Sequence, residues 1–155
     1  MRLTFVCTGN ICRSPMAEAL FRNRAAARGL GDVDVGSAGL YAVAGNEAVP
    51  VARAVAQSRG LDVSRHRARP LRLAALGEDD LLVVMEDIHR RQILGGSRVQ
   101  PAQVLLLRKF DPGGGEEIDD PYGGPDIAYE YCIARLEVCV DALVSWLEAE
   151  RRKKA

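Results

Sequence analysis

Val6-Cys7-Thr8-Gly9-Asn10-Ile11-Cys12-Arg13-Ser14-Pro15 decides how this chain folds. It completes Leu3 to Val6, a short apolar run that reads as a buried strand. It leads into Ala17, Leu20, Phe21 and Arg24, which are spaced as a helix that Gly29 stops. Ser14 is a good N-cap and Pro15 is preorganised for the first helical position, so the helix is predicted to open there. Between strand and helix, Gly9 and Asn10 tolerate positive φ, and the loop is expected to curl back at them. Successive N–H groups in such a loop point inward as an anion-binding nest. The helix N-terminus adds partial positive charge at the same point, and Arg13 adds a planar fork of donors suited to a phosphoryl group. A thiol held there is expected to ionise readily, which makes Cys7 a nucleophile beneath an oxyanion cradle. A Walker phosphate loop would need Gly-Lys-Ser/Thr, and the lysine is missing. The structural alternative for Cys7 is a small apolar residue at a strand end. Every residue from Cys7 to Arg13 agrees with the chemical reading instead.

Outward from this stretch, Asp32-Val33-Asp34-Val35 alternates as a second strand, and Pro50 to Arg59 forms an amphipathic helix ending at Gly60. Leu81 to Met85 is a continuous apolar run, as in a parallel strand covered on both faces. Asp87 caps a short helix to Leu94, and Gln103 to Leu107 is a fourth strand. A polar loop from Arg108 to Pro125 follows, and loops this long in a compact domain usually serve function. The last helix starts near Asp126 with the stripe Cys132, Leu136, Cys139, Val140, Leu143, Leu147. It ends in Arg151-Arg152-Lys153-Lys154, cations at the negative end of its dipole. Alternating strands and helices predict an α/β fold with a parallel sheet and a ligand site at the carboxyl edge. No repeat or linker divides the chain, so residues 1–155 are read as a single domain.

Composition removes several classes. The 155 residues are enough for one proper core, and 48% hydrophobic content excludes a disordered chain. With 21 Lys+Arg against 21 Asp+Glu the chain has no basic excess for binding nucleic acid. No apolar run approaches the ~20 residues of a membrane span, and the N-terminal apolar stretch is too short for a secretory signal. A cytoplasmic placement is therefore expected. The cysteines, Cys7, Cys12, Cys132 and Cys139, are spaced unlike zinc knuckles, and His66 and His89 complete no HExxH. No metal site is expected. Cys132 and Cys139 share a helix face and read as core.

The run Cys7-Thr8-Gly9-Asn10-Ile11-Cys12-Arg13-Ser14-Pro15, continued by Met16-Ala17-Glu18, resembles the low-molecular-weight protein-tyrosine phosphatases. The similarity extends to Ser37-Ala38-Gly39, His66-Arg67-Ala68-Arg69 and Asp120-Pro121-Tyr122-Gly123, and so covers essentially the whole chain. It implies a three-layer fold: a four-stranded parallel sheet flanked by helices, with the phosphate-binding loop between first strand and first helix. It also implies no metal or organic cofactor. The implied reaction is hydrolysis of protein phosphotyrosine through a phosphocysteine. Its substrate is a phosphotyrosine-containing protein, in bacteria often a tyrosine kinase of polysaccharide export. A monomer or weak dimer is expected.

Tyrosyl phenolate has a pKa of ~10, so its departure from phosphorus benefits from a positioned acid. The resemblance selects Asp120, and Pro121 biases it toward an extended backbone that projects its side chain. Asp119 is the adjacent competitor, and a solvated acidic loop is the structural alternative. Thr8, Gly9, Asn10, Ile11 and Cys12 are expected around the bound phosphate, with Asn10 bracing the loop. Ser14 either caps the helix or donates to the Cys7 sulfur. Tyr41 and Tyr122 are expected as apolar walls for a flat ring. A curled loop brings Cys7 and Cys12 within disulfide range, and a reversible bridge is expected under oxidation. Three alternatives stay open. A thiol-dependent arsenate reductase needs a cysteine relay, and between Cys12 and Cys132 there is none. A protein-arginine phosphatase shares these motifs, but where that branch looks to have threonine this chain has Ile11, whose methyl groups suit a phenyl ring. A non-catalytic phosphate-binding module is disfavoured by the intact Cys7, Arg13 and Asp120.

Overall fold

The computed structural model describes residues 1–96 and 98–155. Four strands, β1 (Arg2–Cys7), β2 (Asp34–Gly39), β3 (Leu81–Val84) and β4 (Val104–Leu106), form one parallel sheet in the order β2-β1-β3-β4. Four α-helices accompany them: α1 (Arg13–Ala27), α2 (Pro50–Ser58), α3 (Asp87–Leu94) and α4 (Asp126–Lys154). The expected three-layer α/β fold is thus the observed one.

Strand periodicity distributes β1 between two cores. Leu3, Phe5 and Cys7 face α1 and α4, whose buried stripes include Met16, Leu20, Phe21, Leu136, Val140 and Leu143. Val6 faces the other way, with Leu82, Val84, Val104 and Leu106, onto Ile93 of α3. β1 is therefore covered on both faces and flanked by β2 and β3, so its carboxyl end is held from every side.

Element boundaries moved where local pattern was weak. The second strand runs over Asp34–Gly39 rather than residues 32–35. Its small residues carry little hydrophobic signal, and pairing with β1 in the register Cys7↔Gly39 is what extends them. Asp32 instead pairs with Arg151 of α4. The first helix opens at Arg13, with Cys12 at the N-cap and no side-chain cap. Ser14 is consequently inside the first turn and is not the cap. Pro15 also lies two steps deeper than expected, still within the turn whose N–H groups have no intrahelical acceptor. Asp87 is the first residue of α3, while Glu86 caps it in a reciprocal box with His89. The third and fourth strands, and α2, are each one or two residues shorter than expected, the usual fraying at ends. The loop from 108 opens as a 3-10 turn at Leu107–Phe110. Among the described residues no helix is long and apolar enough to cross a membrane.

Gly39 sits where β2 passes the loop. A Cβ there would stand 2.7 Å from Thr8 O and 2.9 Å from Asn10 N, both main-chain atoms that cannot rotate away. Gly39→Ala is expected to cost about 1–3 kcal/mol by overpacking, read as a lowered urea midpoint. An unchanged midpoint would show that the loop is not confined there.

Candidate active site

Loop 8–12 is shaped by what happens to its carbonyls. Cys7 O accepts from Leu40 N–H (3.1 Å), Thr8 O from Tyr41 N–H (2.9 Å) and Ile11 O from Val49 N–H (3.0 Å). Asn10 O lies 2.6 Å from His66 Nε2, which must donate because a carbonyl only accepts. In a trans peptide the next residue's N–H points opposite the C=O. Tying these four carbonyls outward therefore turns the N–H groups of Thr8, Gly9, Ile11 and Cys12 inward. Asn10 makes the curl possible: at φ 57 it is the one non-glycine residue with positive φ among those described.

Beneath the loop lies a buried polar brace. Asn10 Oδ1 accepts from Arg69 N–H (3.0 Å) and Asn10 Nδ2 donates to Ser14 Oγ (2.8 Å). Because Ser14 Oγ already accepts that bond, its own hydrogen is available to the Cys7 sulfur 2.9 Å away. Asn10 and Ser14 are completely buried, so they position the loop and do not line the cleft.

Arg13 is 1% exposed although fully charged. Burial opposes its charge, but the Cys7 sulfur, Asp120 and Glu86 outweigh burial and raise its pKa above the ordinary value. Its Nη1 donates to Glu86 Oε2 and to Ile118 O, each at 2.8 Å, and its Nη2 is 3.4 Å from Asp120 Oδ2. Leaving such a buried cation unpaired would cost about 3–5 kcal/mol. Ile118 fixes the long loop on the sheet: its side chain is buried and its N–H donates to Met85 O at 2.8 Å. Two residues on, Asp120 reaches the site, its Oδ1 accepting from Tyr122 N–H at 3.1 Å.

The cleft that results has a volume of about 170 Å³ and is lined by Cys7, Thr8, Gly9, Ile11, Cys12, Arg13, Asp120 and Tyr122. Asp119 lines a separate groove, so the Asp before proline is the one presented here. Tyr41 is not brought into the cleft. Its main chain supports Thr8, but its exposed hydroxyl accepts from Gln92 Nε2 at 3.1 Å. Cys12 lies in the wall with its sulfur 3.9 Å from Tyr129 Oη. Burial pushes its thiol up to about 12, against the lowering effect of that contact. Burial does the same to Cys132, also to about 12, and takes Cys139 to about 11. All four cysteines are free thiols.

The sequence reading missed three supports. Glu86 follows β3 at the carboxyl edge, a placement that could have flagged it. His89 carries no local signal, and the His66-Arg67-Ala68-Arg69 run by itself gives His66 no role. His89 Nδ1 accepts from Glu86 N–H (3.2 Å), so Nε2 carries the hydrogen and donates to Thr8 Oγ1 at 2.9 Å.

Comparison with known proteins bears on this arrangement. Residues 2–153 match the family model for low molecular weight phosphotyrosine protein phosphatase. A probable low molecular weight protein-tyrosine-phosphatase, EpsP, of Ralstonia solanacearum is 38% identical over 144 residues, 93% of this chain and 94% of that one. A protein-arginine-phosphatase of Geobacillus stearothermophilus is 34% identical over 150 residues, 97% of this chain and 98% of that one. A solved structure of YwlE arginine phosphatase, a cysteine-to-serine mutant with a phosphorylated active site serine, is 33% identical. It overlays with a TM-score of 0.89, covering 98% of this chain and 99% of that one.

His89 also sets a pH dependence. Burial first, then the nearby Arg13, lowers its pKa below 6.5, so the folded chain keeps it neutral. The unfolded chain binds the proton more readily, so this contribution to stability is present above pH ~6.5 and is lost as pH falls below it. Urea midpoints are expected to drop between about pH 7.5 and 5.5. In His89→Asn the drop should be smaller, whatever the variant's starting stability. Equal slopes would remove His89 as the cause.

Proposed function

This chain belongs to the low-molecular-weight phosphotyrosine protein phosphatase family, and we propose that Cys7, Arg13 and Asp120 carry its hydrolysis of protein phosphotyrosine. The convergence in one small cleft of a sulfur, a buried guanidinium, inward amides and a carboxylate supports this assignment.

In this reading the Cys7 sulfur, as thiolate, attacks phosphorus in line. The S–P bond forms as the bond to the phenolic oxygen breaks. Inward amides from Thr8 to Cys12 and Arg13 Nη2 hold the equatorial oxygens, which is positioning and charge stabilisation together. Glu86 and Ile118 occupy Nη1, so Nη2, which faces Asp120 across the cleft, is the nitrogen Arg13 turns toward the phosphoryl group. Asp120 gives its proton to the leaving oxygen. Water then attacks phosphorus and passes a proton to Asp120, the S–P bond breaks, and inorganic phosphate leaves. Ser14 donates to the sulfur whenever it is anionic. Residues 1–155 act as one catalytic domain. A cytoplasmic setting, where thiols stay reduced, suits the nucleophile.

Ile11 and Tyr122 supply the ring-facing walls, and their apolar surface favours the phenyl ring of phosphotyrosine. The substrate proposed is a phosphotyrosine-containing protein, with a bacterial tyrosine kinase as the candidate. Phosphoarginine is the second reading, because relatives named for that activity align along nearly the whole chain. A guanidinium, however, gains no hydrogen bond from Ile11.

Cys7→Ser is expected to abolish turnover of p-nitrophenyl phosphate, and Arg13→Ala to lower kcat by about 10²–10³. Asp120→Ala should slow aryl phosphates with poor leaving groups by about 10²–10⁴ and those with good ones far less. Equal slowing across leaving groups would remove Asp120 from the acid role. On matched peptides, kcat/KM is expected to be higher for phosphotyrosine than for phosphoarginine, and the reverse order would overturn the substrate assignment.

A further inference from the structure

Among the described residues, the outer edge of β2 is paired at one place only. Gly39 N–H donates to Arg69 O and Leu71 N–H to Gly39 O, each at 2.9 Å, which makes a single parallel bridge between Gly39 and Pro70. Toward the start of β2 the 66–69 segment departs, and the edge continues without a neighbouring strand. N–H and C=O of one strand residue point the same way, and the direction alternates along the chain. Val35 and Ser37 therefore face outward with Gly39. Arginine side chains cap their carbonyls: Arg22 Nη2 donates to Val35 O and Arg69 Nε to Ser37 O at 2.7 Å. Their N–H groups stay on the same side with no acceptor among the described residues. Arg69 lies close over Gly36, where a Cβ would stand 2.6 Å from its Nη2.

Between the strand and the departing segment lies a polar cleft of about 440 Å³. Arg2, Arg22, Arg67 and Arg69 line it against two carboxylates, Glu18 and Asp34. Both carboxylates are engaged, Glu18 by Ser37 Oγ and Arg22, and Asp34 by Arg2. Donors remain in excess: Nη1 of Arg22 and both Nη atoms of Arg2 and Arg69 have no partner among the described residues. Arg67 pairs with Glu47 outside the cleft, yet the remaining cations still outnumber the carboxylates, each carboxylate is already paired with an arginine, and main-chain amides are added. Such a cleft complements a small, multiply charged oxyanion whose oxygens each take several donors.

We propose that this cleft is a second phosphoryl-binding site, separate from the 7–13 loop. Its ligand is a phosphoryl dianion, either free inorganic phosphate or the head of a phosphomonoester. The two sites are linked through Arg69. Its side chain spans β2 at the cleft, while its main-chain N–H holds Asn10 Oδ1 beneath the catalytic loop.

The test is a titration of ¹⁵N-labelled protein, followed by amide signals. Wild type receives inorganic phosphate, and Cys7→Ser receives phenyl phosphate, which it does not turn over. Val35 and Ser37 are expected to shift with their own dissociation constant, distinct from that of Thr8 to Cys12. Replacing the exposed Arg2 and Arg22 by Gln should weaken that second response about tenfold or more through lost charge-assisted bonds, while the loop response stays as in wild type. Saturation of the cleft by phenyl phosphate would identify monoesters as ligands, and saturation by phosphate alone would identify the free anion. Val35 and Ser37 signals that stay still while the loop saturates would overturn the proposal in wild type alone. So would an undiminished response in the double variant.

Discussion

Four carbonyls pulled outward hold this site together. Cys7, Thr8, Asn10 and Ile11 each give their C=O to a group from elsewhere in the fold, and the amides between them have one direction left. An isolated chain would lose that arrangement at once, since a curled loop with converging N–H dipoles repels itself electrostatically. Here the cost is spread over Leu40, Tyr41, Val49 and His66, all contributed by the stretch between β2 and β3. The concavity lined by these amides is thus imposed by the fold around it.

Arg13 is the second organising element, and it works by being buried. A guanidinium at 1% exposure requires partners, and the fold supplies them from two distant places. Glu86 comes from the end of β3, and Ile118 O from the loop before α4. One consequence is mechanical: the loop that bears Asp120 is docked by the same residue whose carbonyl satisfies Arg13. Cys7, Arg13 and Asp120 are therefore assembled by one network, and a change at Glu86 or Ile118 reaches all three. Arginine also organises the far edge of β2, where side chains cap carbonyls that a fifth strand would otherwise take. Capping blunts an exposed edge against pairing with another chain, and the donors left over are what give that cleft its anionic preference.

Residues meant for one role in the linear sequence took others in three dimensions. Ser14 looked equally suited to cap a helix or to serve the sulfur. The helix begins two residues earlier than its signature suggested, which puts the hydroxyl between Asn10 and Cys7. Tyr41 and Tyr122 both read as walls of the site, Tyr122 the stronger of the two, and only Tyr122 borders the cleft, because Tyr41 is drawn to Gln92 of α3. His66 and His89 matched no ligand spacing, and their partners, Asn10 O and Thr8 Oγ1, lie 56 and 81 residues away.

Periodicity and chemistry local to the chain determined the alternation of strands and helices, the sheet's parallel sense and the curled Cys7-to-Arg13 loop between the first strand and the first helix. Those features depend on neighbours within a few residues, so they are written in order along the sequence. Tertiary structure alone decided which way the loop amides point, what neutralises Arg13, which aspartate reaches the cleft and where β2 ends. Each of those is settled by a hydrogen bond or steric contact between segments tens of residues apart, and no local pattern encodes a partner that only folding brings near.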